Sequence, residues 1–398
     1  MCDVISQAMS QLPPASRRGV LKALGAGVAG GGLLVAGGPA AAATQRGHRV
    51  GGARFRTRVV LLGTAGGPIR LGGERSGIST AVVYEDRVYI VDLGAGAGVR
   101  LAQSGLGLED VPGSMLSQVR GIFFTHLHSD HVTDWPHVYL TARANTFDRT
   151  LPAMQVYGPG DRGTLPRVFP PGRPSPPVYH PEDPTPGTVG MTGYLDRAFA
   201  QDVNDRSRDN NVGGPGELFS VHDIDLEGVW DIDPEGKPPR LSEPLHIWTD
   251  GDVRITATLV DHHPTAPSFG YRFDTPDGSV VISGDTTVSE NLIDLARDCD
   301  YLVHEVIDAQ WVDQIVAPFP DEVASAVRQH LLGAHTTIEQ VGRDVAEPAG
   351  AKNLVLTHLA PATNSPSRWR RARRGYSGSL IVGEDLMELG VGSRIAER

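Results

Sequence analysis

Residues 123–135 read FFTHLHSDHVTDW, which places three histidines and an aspartate within six positions, directly after the apolar run RGIFFT. Packing does not explain such a run, because three imidazoles and a carboxylate side by side are costly to bury without partners. A divalent metal resolves the cost, since neutral imidazole nitrogen and carboxylate oxygen are preferred zinc ligands. In a turn that follows a strand, His126 and His128 converge on one metal while Asp130 and His131 face another. The competing reading is a polar surface loop.

Two metals need more donors than one loop holds. Three further candidates each follow an apolar, β-like run: His262 in LVDHHPTAPSFGYRF, Asp285 in VVISGDTT and His358 in NLVLTHLAP. His263 competes with His262 for the same role, with a supporting or substrate-facing position as its alternative.

The chain has 398 residues, 40% of them hydrophobic, enough for a substantial core in one large domain or two ordinary ones. Residues 1–43 have the layout of an export signal. Arg17 and Arg18 precede an apolar, Gly-rich run, and the small residues of AAAAT offer a cleavage site near Ala43. The paired arginines resemble a twin-arginine signal. The alternative, a membrane anchor, needs a span of roughly 20 apolar residues, which this run does not reach. The expected location is therefore periplasmic or secreted, with no membrane span after cleavage. Cleavage removes Arg17, Arg18, Lys22 and Asp3 and takes the formal charge from -11 to -13. General affinity for nucleic acid is not expected of such a surface. Cys2 leaves with the signal and Cys299 stays alone, so no disulfide within the mature chain is expected.

Alternating and continuous Val, Ile and Tyr runs from residue 54 onward read as strands, with EDR at 85–87 as a hairpin turn. The pattern dissolves at about 159–245, where prolines at 170, 171, 174, 176, 177, 181, 184 and 186 exclude central strands and helix interiors. This segment reads as an insertion that arches over the sheet and shapes the substrate site, with a functionless spacer as the alternative. It includes one helical stretch, YLDRAFAQDVNDRSRDN. Strands return with DVRITATLVDHH, FGYRFDTPDGSVVISGDT and DYLVHEVID. Helical spacing appears in SENLIDLARDC and TIEQVGRDVAEPAG. Strands first, then strands alternating with helices, predict a layered α/β sandwich.

The order of these motifs resembles the metallo-β-lactamase superfamily, and within it the branch of tRNase Z-like phosphodiesterases and arylsulfatase-like hydrolases. LLGTAGGP, THLHSDH, YGPG at 157–160, GYRF, SGDTT, VHE, AHTT and LTHLAP carry the resemblance, which covers about residues 55–395. It implies an αββα sandwich with two metals at one edge. His126, His128 and His262 would hold one zinc, Asp130, His131 and His358 the second, with Asp285 bridging; manganese or iron are alternative metals. It further implies hydrolysis by a metal-bridging hydroxide, with the metals roughly 3.5–4 Å apart. Asp130, His335 in GAHTT and Glu305 in LVHEV are the expected catalytic residues, His335 protonating the departing oxygen and Glu305 orienting it. Alternatively, His335 only caps the helix that begins in TTIEQ.

The basic run SRWRRARRG, with Arg368, Arg370, Arg371, Arg373 and Arg374, would steer anions or simply be a solvated loop, and Trp369 would stack on an aromatic leaving group. The chain departs from tRNA-processing enzymes in its export-type N-terminus, its acidity, its LTHLAPATN tail and its long Pro-rich insertion. The expected partners are a small-molecule anionic ester substrate and a second copy of the chain in a homodimer, with no stable nucleic-acid partner. The expected activity is hydrolysis of phosphodiester or sulfate ester bonds. Lactone or β-lactam hydrolysis, and a metal-binding protein without activity, are the alternatives. Asp285→Ala is predicted to abolish turnover and lower metal content; full turnover in that variant would remove the binuclear mechanism.

Overall fold

The computed structural model describes residues 55–68, 74–108 and 111–394. The proposed signal, residues 1–43, lies outside these. Among the described residues no helix is long and apolar enough to cross a membrane.

The chain builds two sheets in sequence. The first contains β1 (Phe55–Gly63), β2 (Ser79–Tyr84), β3 (Arg87–Val91), β4 (Val119–Phe123), β5 (Met154–Pro159) and β6 (Phe219–Ile224). The second contains β7 (Leu245–Asp250), β8 (Val253–Leu259), β9 (Phe269–Thr275), β10 (Gly278–Ile282), β11 (Tyr301–Ile307), β12 (Asn353–Ala360) and β13 (Ser379–Val382). The last strand, β14 (Met387–Arg394), returns to pair antiparallel with β1, so each sheet has seven strands. Strands β3 to β6 run parallel to one another, as do β10 to β13.

Alternation along the strands explains the layering. Val59, Leu61, Val82, Tyr89 and Phe123 of the first sheet face Ile255, Phe269, Tyr271, Phe273, Val303 and Val355 of the second and form the inter-sheet core. The opposite faces also bury apolar residues. The first sheet packs Val60, Val83 and Ile90 under Leu101, Trp135 and Val138, and the second packs Leu302 and Leu354 under Leu292, Ile338 and Val345. The result is the αββα sandwich expected from the sequence.

Three sequence readings need correction. The Pro-rich segment contains β6, which extends the first sheet at its edge, so this part of the insertion belongs to the sandwich. Its predicted single helix is two, Thr188–Ala198 and Ala200–Asn210, separated at Phe199. The first is docked on the body: the Trp135 indole N–H donates to Thr192 Oγ1 at 3.1 Å, and the Tyr139 hydroxyl to Asp196 at 2.8 Å. The third correction concerns the basic run. Trp369 is fully buried beneath the second sheet and has no face for a ligand. Arg368 is turned onto Asp308, donating from Nε at 2.8 Å, while Arg370, Arg371, Arg373 and Arg374 are exposed. Burial would raise the Asp308 carboxyl, but the bonds from Arg368 and Asn364 bring it below its ordinary value.

Trp369→Ala is therefore predicted to act on folding, costing about 3–5 kcal/mol as for other large-to-small core changes. Urea denaturation checks this; an unchanged midpoint would contradict the assigned burial.

Candidate metal centre

The side chains singled out in the sequence gather at one edge, where strands that run in the same direction end, β8 included although both its pairings are antiparallel. The run from His126 to His131 follows β4, His262 follows β8, Asp285 follows β10, and His358 lies near the end of β12. Chain direction alone therefore brings donors from both sheets to one edge.

They form two groups. In the first, His126 Nε2 lies 3.0 Å from His128 Nδ1, and His262 Nε2 lies 3.3 Å from the same atom. In the second, His358 Nε2 lies 3.3 Å from Asp130 Oδ2 and 3.3 Å from Asp285 Oδ1, while His131 Nε2 lies 3.4 Å from Asp285 Oδ2. Asp285 Oδ2 is also 4.0 Å from His126 Nε2 and 3.9 Å from His262 Nε2, so this one carboxylate touches both groups. Tetrahedral zinc with bonds of about 2.0–2.1 Å sets its ligand atoms roughly 3.3 Å apart, and the spacing here fits that requirement. His131 Nε2 and Asp285 Oδ1 are buried without a hydrogen-bond partner, as expected of atoms that bind an ion.

The ring orientations are fixed from behind. His131 Nδ1 lies 2.8 Å from Asp92 Oδ2, and Asp92 is held in turn by the backbone N–H and hydroxyl of Thr125, each at 2.8 Å. His262 Nδ1 donates to the carbonyl of Ala334 at 2.8 Å, which frees Nε2 toward the cluster. His263 instead turns Nδ1 onto Asp261 at 2.6 Å, so of the adjacent pair only His262 faces the site. His358 needs room on its other side. A Cβ at Gly66 would fall 2.5 Å from the His358 carbonyl oxygen and 2.6 Å from Nδ1, so the glycines of LLGTAGGP admit this histidine.

Electrostatics divide the imidazoles. Burial above all pushes His126 and His262 well below the usual imidazole range and brings His128 down to about 4, leaving neutral rings with lone pairs to donate. Burial would also lower His131, but Asp285, Asp92 and Asp130 raise it well above its ordinary value. Asp130 is held low by His131 and His358 against the effect of burial. Positive charge is thus strongly favoured among these carboxylates.

His335 and Glu305 adjoin the cluster. His335 Nδ1 lies 3.3 Å from Glu305 Oε1 and 3.8 Å from Asp285 Oδ2. The alternative role for His335, capping the next helix, falls to Thr337, which forms a reciprocal capping box with Gln340. Burial lowers His335, but Glu305 and Asp285 raise it above its ordinary value. By spacing alone, His335 also belongs to donor groups with His262 and Asp285, and with Glu305 and His358.

The Pro-rich segment reaches both walls of the site. Arg162 donates to the Pro264 carbonyl at 2.8 Å, in the loop whose Thr265 hydroxyl meets His128 Nε2 at 3.0 Å. The Phe169 ring stands 6.0 Å from His330, on the helix Asp321–Ala334 that leads into His335.

Asp92 and Thr125 were not singled out in the sequence. Asp92 had the signal that marked Asp285, a carboxylate directly after an apolar strand, in IVDLG. Asp92→Ala is predicted to lower metal affinity about 10–100-fold with the fold retained. Metal titration of the purified variant checks it, and wild-type affinity would show that Asp92 does not orient His131.

The chain matches the family described as "Metallo-beta-lactamase superfamily" over residues 72–330. A protein of Mycobacterium avium (strain 104) named "Ribonuclease Z" is 30% identical over 335 residues, covering 82% of this chain and 96% of its own. A protein of the same name from Mycobacterium marinum is 28% identical over 345 residues, covering 84% and 99%. Among solved structures, the metallo-beta-lactamase fold protein YhfI from Bacillus subtilis superposes with a TM-score of 0.50 at 17% identity, covering 84% of this chain and 98% of its own. Human tRNase Z, short form, gives 0.50 at 18%, covering 84% and 99%. At these identities the two structures bear on the fold. The ribonuclease name of the sequence relatives weighs against the expectation that nucleic acid has no part in the substrate.

Proposed function

Because the chain belongs to the metallo-beta-lactamase superfamily, we propose that it is a metal-dependent hydrolase of phosphodiester bonds. The observation that carries this reading is the convergence of two donor groups on the single carboxylate of Asp285. His126, His128 and His262 would hold one ion and Asp130, His131 and His358 the other. The mixed imidazole and carboxylate set suits zinc best, with manganese or iron as alternatives. A pair of such ions, when bound, supplies Lewis-acid polarisation of a phosphoryl oxygen and a water acidified to near neutrality.

The chain's own residues supply the rest. Burial excludes bulk water from His126, His131, Asp285 and His358. His335 donates from Nδ1 to Glu305 Oε1, which leaves Nε2 to pass a proton to the departing oxygen. Glu305 favours the protonated ring and orients it, and is the positioning member of the pair. Asp130 contributes negative charge beside His358, whose Nε2 lies 3.3 Å from its carboxylate.

Similarity to proteins named ribonuclease Z over 82% of the chain supports phosphodiester bonds rather than lactone, β-lactam or sulfate ester bonds. The same similarity favours a second reading, in which the phosphodiester belongs to RNA. The mature charge of -13 favours a small substrate over a polyanion. Export, with this chemistry outside the cytoplasm, belongs to the same proposal and rests on Arg17, Arg18 and the apolar run behind them.

The deciding experiment combines metal analysis with turnover of bis(p-nitrophenyl) phosphate, p-nitrophenyl sulfate, a lactone and a short single-stranded RNA. About two zincs per chain with cleavage of the diester is the expected result; lactone cleavage alone would overturn it. His335→Ala is predicted to keep its metal and to lose about 10²–10⁴-fold in kcat on a diester with a poor alkoxide leaving group. A p-nitrophenolate leaving group should suffer much less, because it departs without a proton. Equal losses on both substrates would remove His335 as the acid.

A further inference from the structure

The two carboxylate oxygens of Glu305 are treated unequally. Oε1 accepts from the backbone N–H groups of Thr286 at 3.2 Å and Thr336 at 2.9 Å, and meets His335 Nδ1 at 3.3 Å. Oε2 is buried and has no partner. A buried carboxylate oxygen without a donor is costly, so this asymmetry calls for a physical explanation.

Three hydroxyls among the described residues share the condition, and two of them, unlike Ser79 Oγ, line the same chamber as Glu305. Thr80 Oγ1 and Thr357 Oγ1 are buried with no partner. Both sit on inward-facing positions of inter-sheet strands, two residues from Val82 and Val355, where a purely apolar side chain would be the ordinary choice. Thr357 is the direct register partner of Glu305 across β11 and β12, and Thr80 comes from β2 in the opposite sheet. Glu305, Thr80 and Thr357 line one small chamber of about 10 Å³ that adjoins the candidate metal cluster, since Asp92, His131, Asp285 and His358 also line it. That is about the space of one water, and a water is retained in a protein interior where two to four polar groups surround it.

We infer that Thr80 and Thr357 are positioning residues whose hydroxyls, joined by one internal water, bind Glu305 Oε2 and keep Oε1 turned toward His335. The water donates one hydrogen to Oε2, accepts from one threonine hydroxyl and donates its other hydrogen to the second hydroxyl oxygen, which satisfies three otherwise orphaned atoms together. The arrangement ties the proton-donating pair to both sheets, so its geometry follows the sandwich and not the loops. This rests on the proposed roles of Glu305 and His335.

The test is a high-resolution crystal structure of the metal-loaded protein, with steady-state kinetics on bis(p-nitrophenyl) phosphate and an alkyl phosphodiester for Thr80→Val, Thr357→Val and the matching serine variants. One water peak within hydrogen-bond distance of Glu305 Oε2 and both hydroxyls is expected. Each valine variant should lose about tenfold in kcat on the alkyl ester, the scale of one buried hydrogen bond, with KM and metal content unchanged. Serine, which keeps the hydroxyl, should restore it. A dry chamber in the wild type, or valine variants with wild-type kcat and an unmoved Glu305, would overturn the inference. Loss of metal along with kcat would assign the hydroxyls to the cluster and overturn it too. If the wild type cleaves neither ester, the phosphodiester reading fails, and the water peak and the Glu305 rotamer in the valine structures still decide this one.

Discussion

Seven side chains that would each prefer water are held together at the edge of a dry sandwich, and that crowding is the constraint on which the rest depends. Five imidazoles, from His126, His128, His131, His262 and His358, press against Asp130 and Asp285 at ligand-atom separations of about 3 to 4 Å. Most are buried. Without a cation, the neutral rings waste lone pairs on one another, while the carboxylates compete for a proton on His131. Divalent ions would turn the same contacts favourable and so couple metal affinity to the folding of this edge. The fold's contribution is directional. Parallel strands in both sheets deliver their loops to the same edge, and the inter-sheet core of Phe123, Tyr271, Val303 and Val355 holds the halves in register.

A second layer makes the crowd precise. Each histidine that offers one nitrogen to the cluster has something specific at its back: the Thr125 hydroxyl for His126, Asp92 for His131, the Ala334 carbonyl for His262, the Thr265 hydroxyl for His128 and the absent side chain of Gly66 for His358. These supports come from both halves of the chain. The Ala334 carbonyl is instructive, because the next residue is His335. The helix end that fixes one proposed ligand also fixes the proposed acid, so motion of the helix Asp321–Ala334 would disturb both.

What was legible in the sequence follows from this division. The primary donors could be read because each breaks an apolar β run with a group that no core tolerates, as Asp285 does after Val280–Ile282. The αββα layering was legible for the same reason that β1 to β4 and β8 to β12 were: their burial is nearly continuous. The supports were harder. Asp92 carries the same local signal as Asp285 but has no histidine beside it in sequence, and its partner His131 is 39 residues away. Strand β6, FSVHDI, is six residues in a Pro-rich surrounding and gains its stability from pairing with β5, which no local pattern reports. Trp369 misled in the other direction. Arginines on either side made it look exposed, yet the short helix there sets the indole inward and the guanidinium groups outward or, for Arg368, onto Asp308.

The arrangement around Glu305 shows why a core that is not wholly apolar serves this site. A carboxylate that must aim one oxygen at His335 over a 3.3 Å contact cannot rely on a loop, because a change of about 1 Å in a catalytic contact costs on the order of 10²-fold in rate. Two backbone N–H groups on Oε1 fix one end of the carboxylate, and a partner on the other oxygen would further resist rotation about the last side-chain bond. Thr80 and Thr357 line the same small chamber as that oxygen, from opposite sheets, and in the proposed arrangement their hydroxyls reach it through a water. The cost is two polar groups in the core, which is small once they are hydrogen-bonded. The return would be an orientation of the proposed acid that is set by strands of both sheets, apart from the Pro-rich segment that reaches Pro264 and His330.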